Sequence, residues 1–244
     1  MKTNSHWLQP DWPAPSNVHA AMTLRTGGVS QGDYASLNLA AYVGDNPDLV
    51  SQNRQIIKTL LNLPSEPAWL NQTHSNRAVK ATAMSSPPQA DASYTDQPGV
   101  VCAVLTADCL PLLVCAANGT EIAAIHAGWR GLLDGVIDNT IAAMQNRDAL
   151  VWLGPAIGRE RFEVGAEVRT AFVTKSADYI AAFKKHSHNK WLADIYQLAR
   201  LNLAALGISK VYGSNFCTVT DHERFYSYRR DKDTGRMATL IWRD

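Results

Sequence analysis

The sequence predicts an α+β protein, a layered α/β sandwich that forms a single domain over residues 1–244 around a mixed sheet. Three short apolar runs with polar breaks between them lie at 100–105, 110–115 and 121–125. Their Val, Ile and Leu content and their Gly, Asn and Pro boundaries favour strands over helices. Longer amphipathic segments elsewhere favour helices, and no repeat, linker or low-complexity segment divides the chain.

Composition argues against several classes of function. The formal net charge is +1 and charged residues make up 18% of the chain, so no basic surface indicates a nucleic acid or a membrane as partner. Residues 1–15 lack the apolar segment of a signal peptide, and no run has the roughly 18 apolar residues of a membrane span. We therefore expect a cytoplasmic protein, in which the four cysteines stay reduced.

The chain is predicted to begin with an extended segment and a glycine turn. Residues 1–20 carry two tryptophans and three prolines and are expected to lie along the core as a lead-in. A turn is predicted at Gly27-Gly28, beside Arg25. Its backbone amides could cradle a phosphate, and a plain hairpin turn is the competing interpretation.

A helix is predicted over 47–61. Asn46 is a good N-cap, Pro47 suits the first helical position, and apolar residues follow with helical spacing. Strands are then predicted over 68–70 and 78–83. A polar surface loop containing Asp91 and Asp96 is predicted over 85–97.

After the central strands, helices and strands alternate. Helices are predicted over 132–145, 164–174, 177–184 and 192–206, and strands over 151–153, 208–212, 225–228 and 238–242. Gly207 suits the residue after a helix end, and 233–235 predicts a turn between the last two strands. His186 and His188 could bind a metal, but the lysines around them favour a solvated loop.

Three residues at predicted strand ends are the candidates for chemistry. His74 and His126 each follow an apolar run, and Cys109 lies in the polar break before the second central strand. Two imidazoles and a thiolate could hold a zinc ion with one position left for water. The same residues could instead act without metal, with Cys109 as nucleophile, a histidine as base and Asp108 or another polar group orienting it.

Several arginines lie in glycine-flanked breaks and could bind an anionic group. Arg25 follows an early strand, Arg130 precedes a predicted helix, and Arg229 and Arg230 follow an aromatic stretch. Because neighbouring strand residues point to opposite faces, only one of that last pair is expected to face a site. Trp129 could stack on a planar ligand or cover the core.

Six stretches together resemble a known family: RTGGVSQGDYASLNLAAYVGD, WLNQTHSNRAV, VLTADCLPLLV, AAIHAGWRGL, WLGPAIG and FYSYRRDKDTGRMATLIW. They are similar to the YfiH-type proteins, long described as multicopper polyphenol oxidoreductases or laccases. The resemblance runs from about residue 23 to residue 242, in order. It implies a single-domain sandwich related to cytotoxic necrotizing factor and cysteine-hydrolase-like folds.

The resemblance also implies an activity and its residues. Members are linked to phosphorolysis of adenosine, inosine and S-methyl-5′-thioadenosine and to adenosine deamination, so purine nucleosides and phosphate are the expected partners of a monomeric enzyme. The metal ligands and catalytic residues of the family correspond to His74, Cys109 and His126, with zinc as the expected ion and copper as a possible one. Substrate and phosphate binding is expected from Arg25, Asn38, Gln72, Trp129, Arg130, Arg229 and Arg230.

Three other functions stay open at this stage. A laccase needs a multi-histidine copper cluster, and the seven histidines here are too few and too scattered, so copper oxidation would be a side activity of the thiolate and imidazole site. Some relatives are tied to editing of peptidoglycan precursors, an amide hydrolysis that removes a misplaced L-serine. A nucleotide-binding regulator without turnover would need the arginines but not Cys109.

Overall fold

Two stacked β-sheets with helices outside them organise this protein, for which a computed structural model describes residues 6–82 and 86–244. The strands are β1 (Trp7–Leu8), β2 (Val18–Thr23), β3 (Ala78–Lys80), β4 (Ala92–Thr95), β5 (Cys102–Thr106), β6 (Leu110–Ala116), β7 (Ile122–Ala127), β8 (Ala149–Leu153), β9 (Glu163–Gly165), β10 (Phe183–Ser187), β11 (Lys190–Ala193), β12 (Val211–Gly213) and β13 (Met237–Arg243). The α-helices are α1 (Pro47–Leu60), α2 (Trp129–Asp134), α3 (Val136–Ala143), α4 (Ala166–Lys175), α5 (Ile195–Ala205) and α6 (Tyr228–Asp231), and 3-10 turns cover Gly32–Tyr34, Arg159–Arg161 and Ala177–Ala182.

The larger sheet is mixed, as predicted. Its strand order is β12-β8-β6-β7-β4-β3, with parallel pairs at the two edges and antiparallel pairs in between. A second sheet, in the order β1-β2-β13-β5, is antiparallel. A third, small sheet pairs β9, β10 and β11. The α+β class expected from the sequence is confirmed.

The central strands are apolar throughout because both of their faces are buried. Along β6, Leu113 packs toward the second sheet and Leu112 toward the helices. The far face of the second sheet, with Leu240, packs against Ile57 of α1. The layers therefore run α1, second sheet, large sheet, then α2, α3 and α5, which is a sandwich with helices on both outer sides.

The predicted central strands and the first helix are confirmed. β5, β6 and β7 cover the three apolar runs to within a few residues. In α1, the Asn46 side chain accepts the backbone N–H of Asp48, and Pro47 occupies the first turn. Gly207 takes a left-handed conformation with φ of 77°, as a residue after a helix end should. Strands predicted over 151–153, 208–212 and 238–242 correspond to β8, β12 and β13.

The helix predicted over 132–145 is two helices. α2 ends and α3 begins at Gly135, which has φ of 91°, and a left-handed residue cannot continue an α-helix. The apolar periodicity extends across the break, so the pattern alone gave no sign of it.

Four other predictions of element type were wrong. Residues 177–184 form a 3-10 turn followed by the start of β10, and the loop expected around His186 and His188 is the β10–β11 hairpin. By contrast, the helices predicted over 164–174 and 192–206 are confirmed as α4 and α5, and only their first residues, which belong to strands β9 and β11, differ from the prediction. Residues 225–228 form no strand, and α6 begins at Tyr228. Residues 68–70 contribute only a single bridge, between Ala68 and Cys102.

The prediction of a surface loop over 85–97 was wrong in its central part. Strand β4 occupies 92–95 inside the large sheet, and Asp91, just before it, is fully buried. Ala83, at the end of the strand predicted over 78–83, and Ser85, at the start of the predicted loop, lie outside the described residues.

Within the described parts of the chain, every helix is too short or too polar to span a lipid bilayer.

Candidate metal centre

His74, Cys109 and His126 meet at one edge of the large sheet. Strands β6 and β7 are antiparallel, so the beginning of β6 lies beside the end of β7, and Pro111 pairs with His126. Cys109, which precedes β6, therefore reaches the imidazole at the end of β7. The third residue, His74, comes from the loop before β3.

The three side chains are close enough to bind one ion together. Their candidate ligand atoms all lie within 4.8 Å of one another. The Cys109 Sγ is 3.8 Å from His74 Nε2, and the two imidazole rings are 4.9 Å apart between centroids. The convergence predicted from the sequence is therefore observed.

Exposure differs across the three residues. His126 is buried, Cys109 is half-buried and His74 is exposed. The cluster thus opens to solvent on the His74 side, where a small molecule can reach it. Three protein ligands with one open side is the arrangement typical of catalytic zinc sites.

Asp91 holds two of the ligands, and sequence reasoning missed it. The register of β4 and β7 pairs Ala92 with Ile125, which places Asp91 opposite His126. Its Oδ1 accepts a hydrogen bond from His126 Nδ1 at 2.7 Å, inside the protein. The same carboxylate accepts the backbone N–H groups of residues 73, 74 and 75 at 2.6–3.2 Å and the Ser75 hydroxyl at 2.7 Å.

The Asp91 bonds determine how the ligands are presented. In the neutral ring, a His126 proton on Nδ1 leaves the Nε2 lone pair for a metal, the arrangement common among ligating histidines. The backbone bonds hold His74 in a left-handed conformation, with φ of 61°, that a non-glycine residue adopts at a cost of about 1 kcal/mol or more. One carboxylate therefore orients one imidazole directly and the other through its backbone.

Electrostatics favour the ionised forms of this cluster. Burial opposes a charge on Cys109, but the positive charge of His126 and hydrogen bonds from His126 and His74 outweigh it and lower the thiol pKa to about 6. Burial likewise opposes a charge on His126, and the Cys109 thiolate and the Asp91 hydrogen bond raise its pKa to about 9. Despite burial, the bonds from His126 and Ser75 lower the Asp91 pKa to about 2.

Gly128 leaves room for the two most exposed ligands. A Cβ added there would lie 2.8 Å from His74 Cδ2 and 3.1 Å from Cys109 Sγ. Those separations are shorter than ordinary carbon contacts, so any side chain at 128 would push the ligands away. The glycine in the motif H-A-G-W is therefore explained by a close approach and not by backbone freedom.

The donor set suits a soft or borderline metal. Two imidazole nitrogens and one thiolate are ligands that zinc and copper both accept. The buried Asp91 bonded to His126 is the outer partner that a ligating histidine usually has. The described residues contain no second group of three or more potential ligands, so this cluster is the one candidate they offer.

Asp108 does not orient a histidine, contrary to one expectation. Its Oδ1 accepts the Thr218 hydroxyl and its Oδ2 accepts the backbone N–H of Arg229, both at 2.6 Å. It therefore ties Thr218 and the first turn of α6 to the turn that carries Cys109. The orienting role belongs to Asp91, whose partners the linear sequence did not reveal.

The side chains of two candidate arginines, Arg25 and Arg230, already make hydrogen bonds within the protein. Arg25 donates to the carbonyls of Ala35 and His222, with its guanidinium carbon 4.9 Å from the centre of the Tyr226 ring. Arg230 donates to the carbonyls of Thr218, Val219 and Phe225 and pairs with Asp231. These bonds are structural in character. A role for either residue in binding phosphate stays a prediction.

Arg130 and Arg229 are more available. Arg130 is exposed, rests 4.4 Å from the Trp129 ring centre and makes no hydrogen bond or ion pair to the described residues. Arg229 is exposed and donates from Nη1 to the carbonyls of Arg161 and Glu163. Arg229 and Arg230 lie in helix α6, so the expectation based on strand alternation does not apply to them.

The remaining candidates, Asn38, Gln72 and Trp129, all contact other parts of the protein. Both amide protons of Asn38 go to Ala40 and Asp45, and its Oδ1 accepts the N–H groups of Ala40 and Arg236. Gln72 exchanges two hydrogen bonds with the backbone of Leu105, at 2.7 and 2.8 Å, as a neighbouring strand would. Trp129 is half-buried against the core on the helix side. Ligand contacts by these three side chains stay predictions.

Comparisons with known proteins identify the family of this chain. Residues 19–244 match the family described as multi-copper polyphenol oxidoreductase laccase. The chain is 52% identical to proteins of Shigella flexneri and Escherichia coli named purine nucleoside phosphorylase YfiH, over 98% of this chain and 99% of each relative. A relative named purine nucleoside phosphorylase in Pseudomonas aeruginosa is 49% identical over 97% of this chain and 98% of its own.

Solved structures show the same fold. A Neisseria meningitidis protein of the DUF152 family superposes with a TM-score of 0.95 at 52% identity, covering 98% of this chain and 99% of that one. YlmD from Geobacillus stearothermophilus superposes with a TM-score of 0.92 at 30% identity, covering 100% and 98%. The chain therefore belongs to the multi-copper polyphenol oxidoreductase laccase family, the YfiH-type family that its motifs resemble.

Proposed function

We propose that this chain is a purine nucleoside phosphorylase that acts on adenosine, inosine and S-methyl-5′-thioadenosine and also deaminates adenosine with the help of a metal. One observation carries the proposal. His74, Cys109 and His126 converge at an open site in a chain that is 52% identical, along nearly its whole length, to relatives named purine nucleoside phosphorylases. His74, Cys109 and His126 are the proposed metal ligands and catalytic residues.

Phosphorolysis requires a site that holds phosphate beside a ribose that develops positive charge. Phosphate adds to C1′ of the ribose as the bond from C1′ to the purine nitrogen breaks, and the base leaves with the bonding electrons. Arg130 supports the phosphate role because its donors are unused by the described residues and it lies two positions beyond Gly128, which touches the cluster. Arg229 joins it, because its backbone is bonded to Asp108, the neighbour of Cys109.

Deamination requires an activated water molecule. A zinc or copper ion on the three side chains would act as a Lewis acid and lower the pKa of water toward about 7. The chain's own contribution is geometric. Asp91 keeps the His126 proton on Nδ1 and holds the His74 backbone, so both imidazoles are oriented before the ion arrives.

The proposed setting is the cytoplasm, with the enzyme working as a monomer on nucleosides and phosphate. All four cysteines are free thiols, which agrees with a reducing compartment. Sedimentation equilibrium at micromolar protein tests the monomer. A species of twice the 26.7 kDa chain mass would contradict it.

An amide hydrolase is the second candidate function, and the cluster itself favours it. Cys109, His126 and Asp91 follow the order nucleophile, base and orienting carboxylate, with the base bonded to the carboxylate at 2.7 Å. The proposed reaction removes a misplaced L-serine from a peptidoglycan precursor. A laccase activity needs a larger histidine cluster than the three-ligand group found among the described residues, and oxidation of polyphenols is proposed at most as a side activity.

Phosphate dependence separates these functions. Protein loaded with one equivalent of zinc is incubated with inosine, with and without phosphate, and the products are separated by chromatography. We expect hypoxanthine and ribose 1-phosphate only when phosphate is present. Base release that ignores phosphate would indicate hydrolysis, and no base release together with serine release from a peptidoglycan precursor would favour the amidase. Protein loaded with copper instead of zinc provides the matched comparison.

A further inference from the structure

Cys109 lies in a short crossing between two sheets, over residues 107–109. β5 belongs to the second sheet and ends at Thr106, and β6 belongs to the large sheet and begins at Leu110. In the middle of the crossing, Asp108 has a left-handed backbone, with φ of 91°. A non-glycine residue adopts that conformation at a steric cost, so it persists only where the surroundings hold it. The position of the Cys109 thiol therefore depends on what holds Asp108.

Asp108 is held by segments that lie far away in the chain. It is 8% exposed, its Oδ1 accepts the Thr218 hydroxyl, and its Oδ2 accepts the backbone N–H of Arg229, both at 2.6 Å. Its carbonyl accepts the backbone N–H of Ile157 at 2.9 Å. An aspartate in a turn commonly bonds to backbone groups two residues on, but the donors here come 110 and 121 positions later. The carboxylate thus connects the crossing to the C-terminal part of the chain.

The two donors are themselves fixed. Thr218 is fully buried, and its backbone N–H donates to the carbonyl of Ala156 at 3.0 Å. Arg230, the neighbour of Arg229 in α6, donates from Nη1 to the carbonyl of Thr218 at 2.8 Å. Thr218, α6 and the crossing therefore form one hydrogen-bonded unit, which leaves little freedom to the Asp108 carboxylate.

The residue type at position 108 agrees with an anchoring role. Glycine adopts a left-handed backbone without the steric cost, but it has no side chain that could accept a hydrogen bond. The His74 turn combines the same two features, because His74 is left-handed, with φ of 61°, and its backbone N–H is bonded to the buried carboxylate of Asp91. In both turns, one buried carboxylate holds a costly backbone conformation at or beside a candidate ligand. Such conformations are found mainly at functional sites.

We propose that Asp108 is a positioning residue for Cys109. Its carboxylate holds the crossing against Thr218 and α6, and the crossing presents the Cys109 Sγ at 3.8 Å from His74 Nε2. The inference rests on the proposed role of Cys109 as a metal ligand, and it names the part of the chain that keeps this ligand in place. The role requires the two hydrogen bonds of the carboxylate and not its negative charge.

Titration of the metal-free protein with cobalt(II) tests this role, because a thiolate bound to cobalt gives a charge-transfer absorption band that imidazole ligands do not give. Asp108→Gly removes both side-chain bonds without adding strain. We expect its cobalt affinity to fall by about 10- to 100-fold, as for other partners of metal ligands, with a weaker thiolate band at saturation. Thr218→Val removes one bond and leaves residue 108 unchanged, so a smaller loss of about two- to tenfold is expected.

Asp108→Asn is the conservative variant that separates anchoring from charge. Its amide oxygen can accept the Arg229 N–H, and its NH₂ group can donate to the Thr218 hydroxyl oxygen, so both links survive without the negative charge. We expect its cobalt affinity to stay within about threefold of wild type, with the full thiolate band, because the number of side-chain hydrogen bonds is unchanged.

Glu121→Ala is the matched control for the loss of a buried carboxylate. Glu121 is 7% exposed and accepts the backbone N–H groups of Gln145 and Asn146 at 3.0 and 2.8 Å. It lies at the opposite end of β7 from His126, about 16 Å along the strand. This variant should lower the melting temperature of the metal-free protein and leave the cobalt titration as in wild type.

The outcomes separate the positioning role from the proposed activity. Wild-type cobalt binding by Asp108→Gly or Thr218→Val would overturn the positioning role, and Thr218→Val decides alone if Asp108→Gly does not fold. An equal loss of affinity in Glu121→Ala, or a loss in Asp108→Asn as large as in Asp108→Gly, would also overturn it. If wild type binds cobalt without a thiolate band, the ligand role of Cys109 fails and the positioning role with it. If the band and the variants behave as expected but wild type cleaves no nucleoside, the positioning role stands and the proposed activity fails.

Discussion

Asp91 and His126 are joined by a hydrogen bond of 2.7 Å between Oδ1 and Nδ1, in a part of the protein that solvent does not reach. The same carboxylate binds three consecutive backbone amides of the loop that carries His74. This single buried group therefore couples the two histidines of the candidate metal centre. It also connects the start of β4 to a loop about 17 residues earlier in the chain.

Replacing Asp91 should weaken metal binding while leaving the three ligand side chains unchanged. In Asp91→Asn, one carboxylate oxygen becomes an NH₂ group, which cannot accept a hydrogen bond. The new side chain therefore keeps only one of two sets of bonds. It loses either those at Oδ1, from His126 and the His74 backbone N–H, or those at Oδ2, from the backbone N–H groups of Thr73 and Ser75. We expect zinc affinity to fall by about 10- to 100-fold, as for other partners of ligating histidines. Competition with a chromophoric chelator measures it.

Asp96→Asn is the matched control for that experiment. Asp96 lies on the same stretch of chain but is exposed and pairs with Lys80 at the surface. The zinc affinity of this variant should equal that of wild type. Equal affinity in the Asp91 variant as well would show that the buried carboxylate serves the fold and not the metal.

Cys109→Ser should remove the metal and every metal-dependent activity together, if the thiol is a ligand. A bound thiolate has its charge held by the cation and reacts poorly with alkylating agents. Metal-replete wild type should therefore resist iodoacetamide at Cys109, while the half-buried Cys217 serves as the internal control for reagent access. Stoichiometric alkylation of Cys109 with the metal still bound, seen by mass spectrometry, would refute the ligand role.

In metal-free protein the same thiol should react at unusually low pH. Its pKa is lowered to about 6, so the thiolate is the main form above about pH 6 and is lost only as the pH falls below that value. Cys102 and Cys115, whose pKa values burial raises to about 12, should stay unreactive across the range. His126→Ala removes the favourable charge and should move the midpoint of the alkylation rate upward. A wild-type midpoint near the ordinary value of 9 would contradict the described geometry.

Alanine substitutions at Arg130 and Arg230 should distinguish a residue that binds phosphate from one that stabilises the fold. Arg130→Ala should raise the KM for phosphate by about tenfold or more, the effect of losing one charge-assisted contact, with little change in melting temperature. Arg230→Ala loses bonds to three carbonyls and should lower the melting temperature by several degrees, because each lost bond is worth about 1 kcal/mol. Steady-state kinetics and thermal unfolding of both variants decide it. A fall in stability for Arg130→Ala equal to its loss of activity would indicate that Arg130 serves the fold instead.

The sequence predicted the central strands and the metal residues for a local reason. An apolar run that stops at a polar residue is visible within a few positions, and Cys109 and His126 both stand at such stops. Their meeting follows from antiparallel pairing of adjacent strands, which a short connection makes the default. The type of secondary structure was harder to predict where apolar and polar residues alternate without a clear period and form short elements. Residues 177–184 are an example, because intrinsic propensity is a weak guide there.

By itself, then, the sequence determined the α+β class and the strands that border Cys109 and His126, because each strand is written in contiguous residues, and it proposed His74, Cys109 and His126 as ligands because each stands where an apolar run is interrupted. Only the tertiary structure decided that Asp91 lies buried beside the sheet and that Arg25 and Arg230 are bonded to carbonyls. The partners of those side chains come from distant parts of the chain, up to 197 positions away for Arg25. Burial and hydrogen bonding are set by what folding brings together, and no local pattern encodes that for a single polar residue.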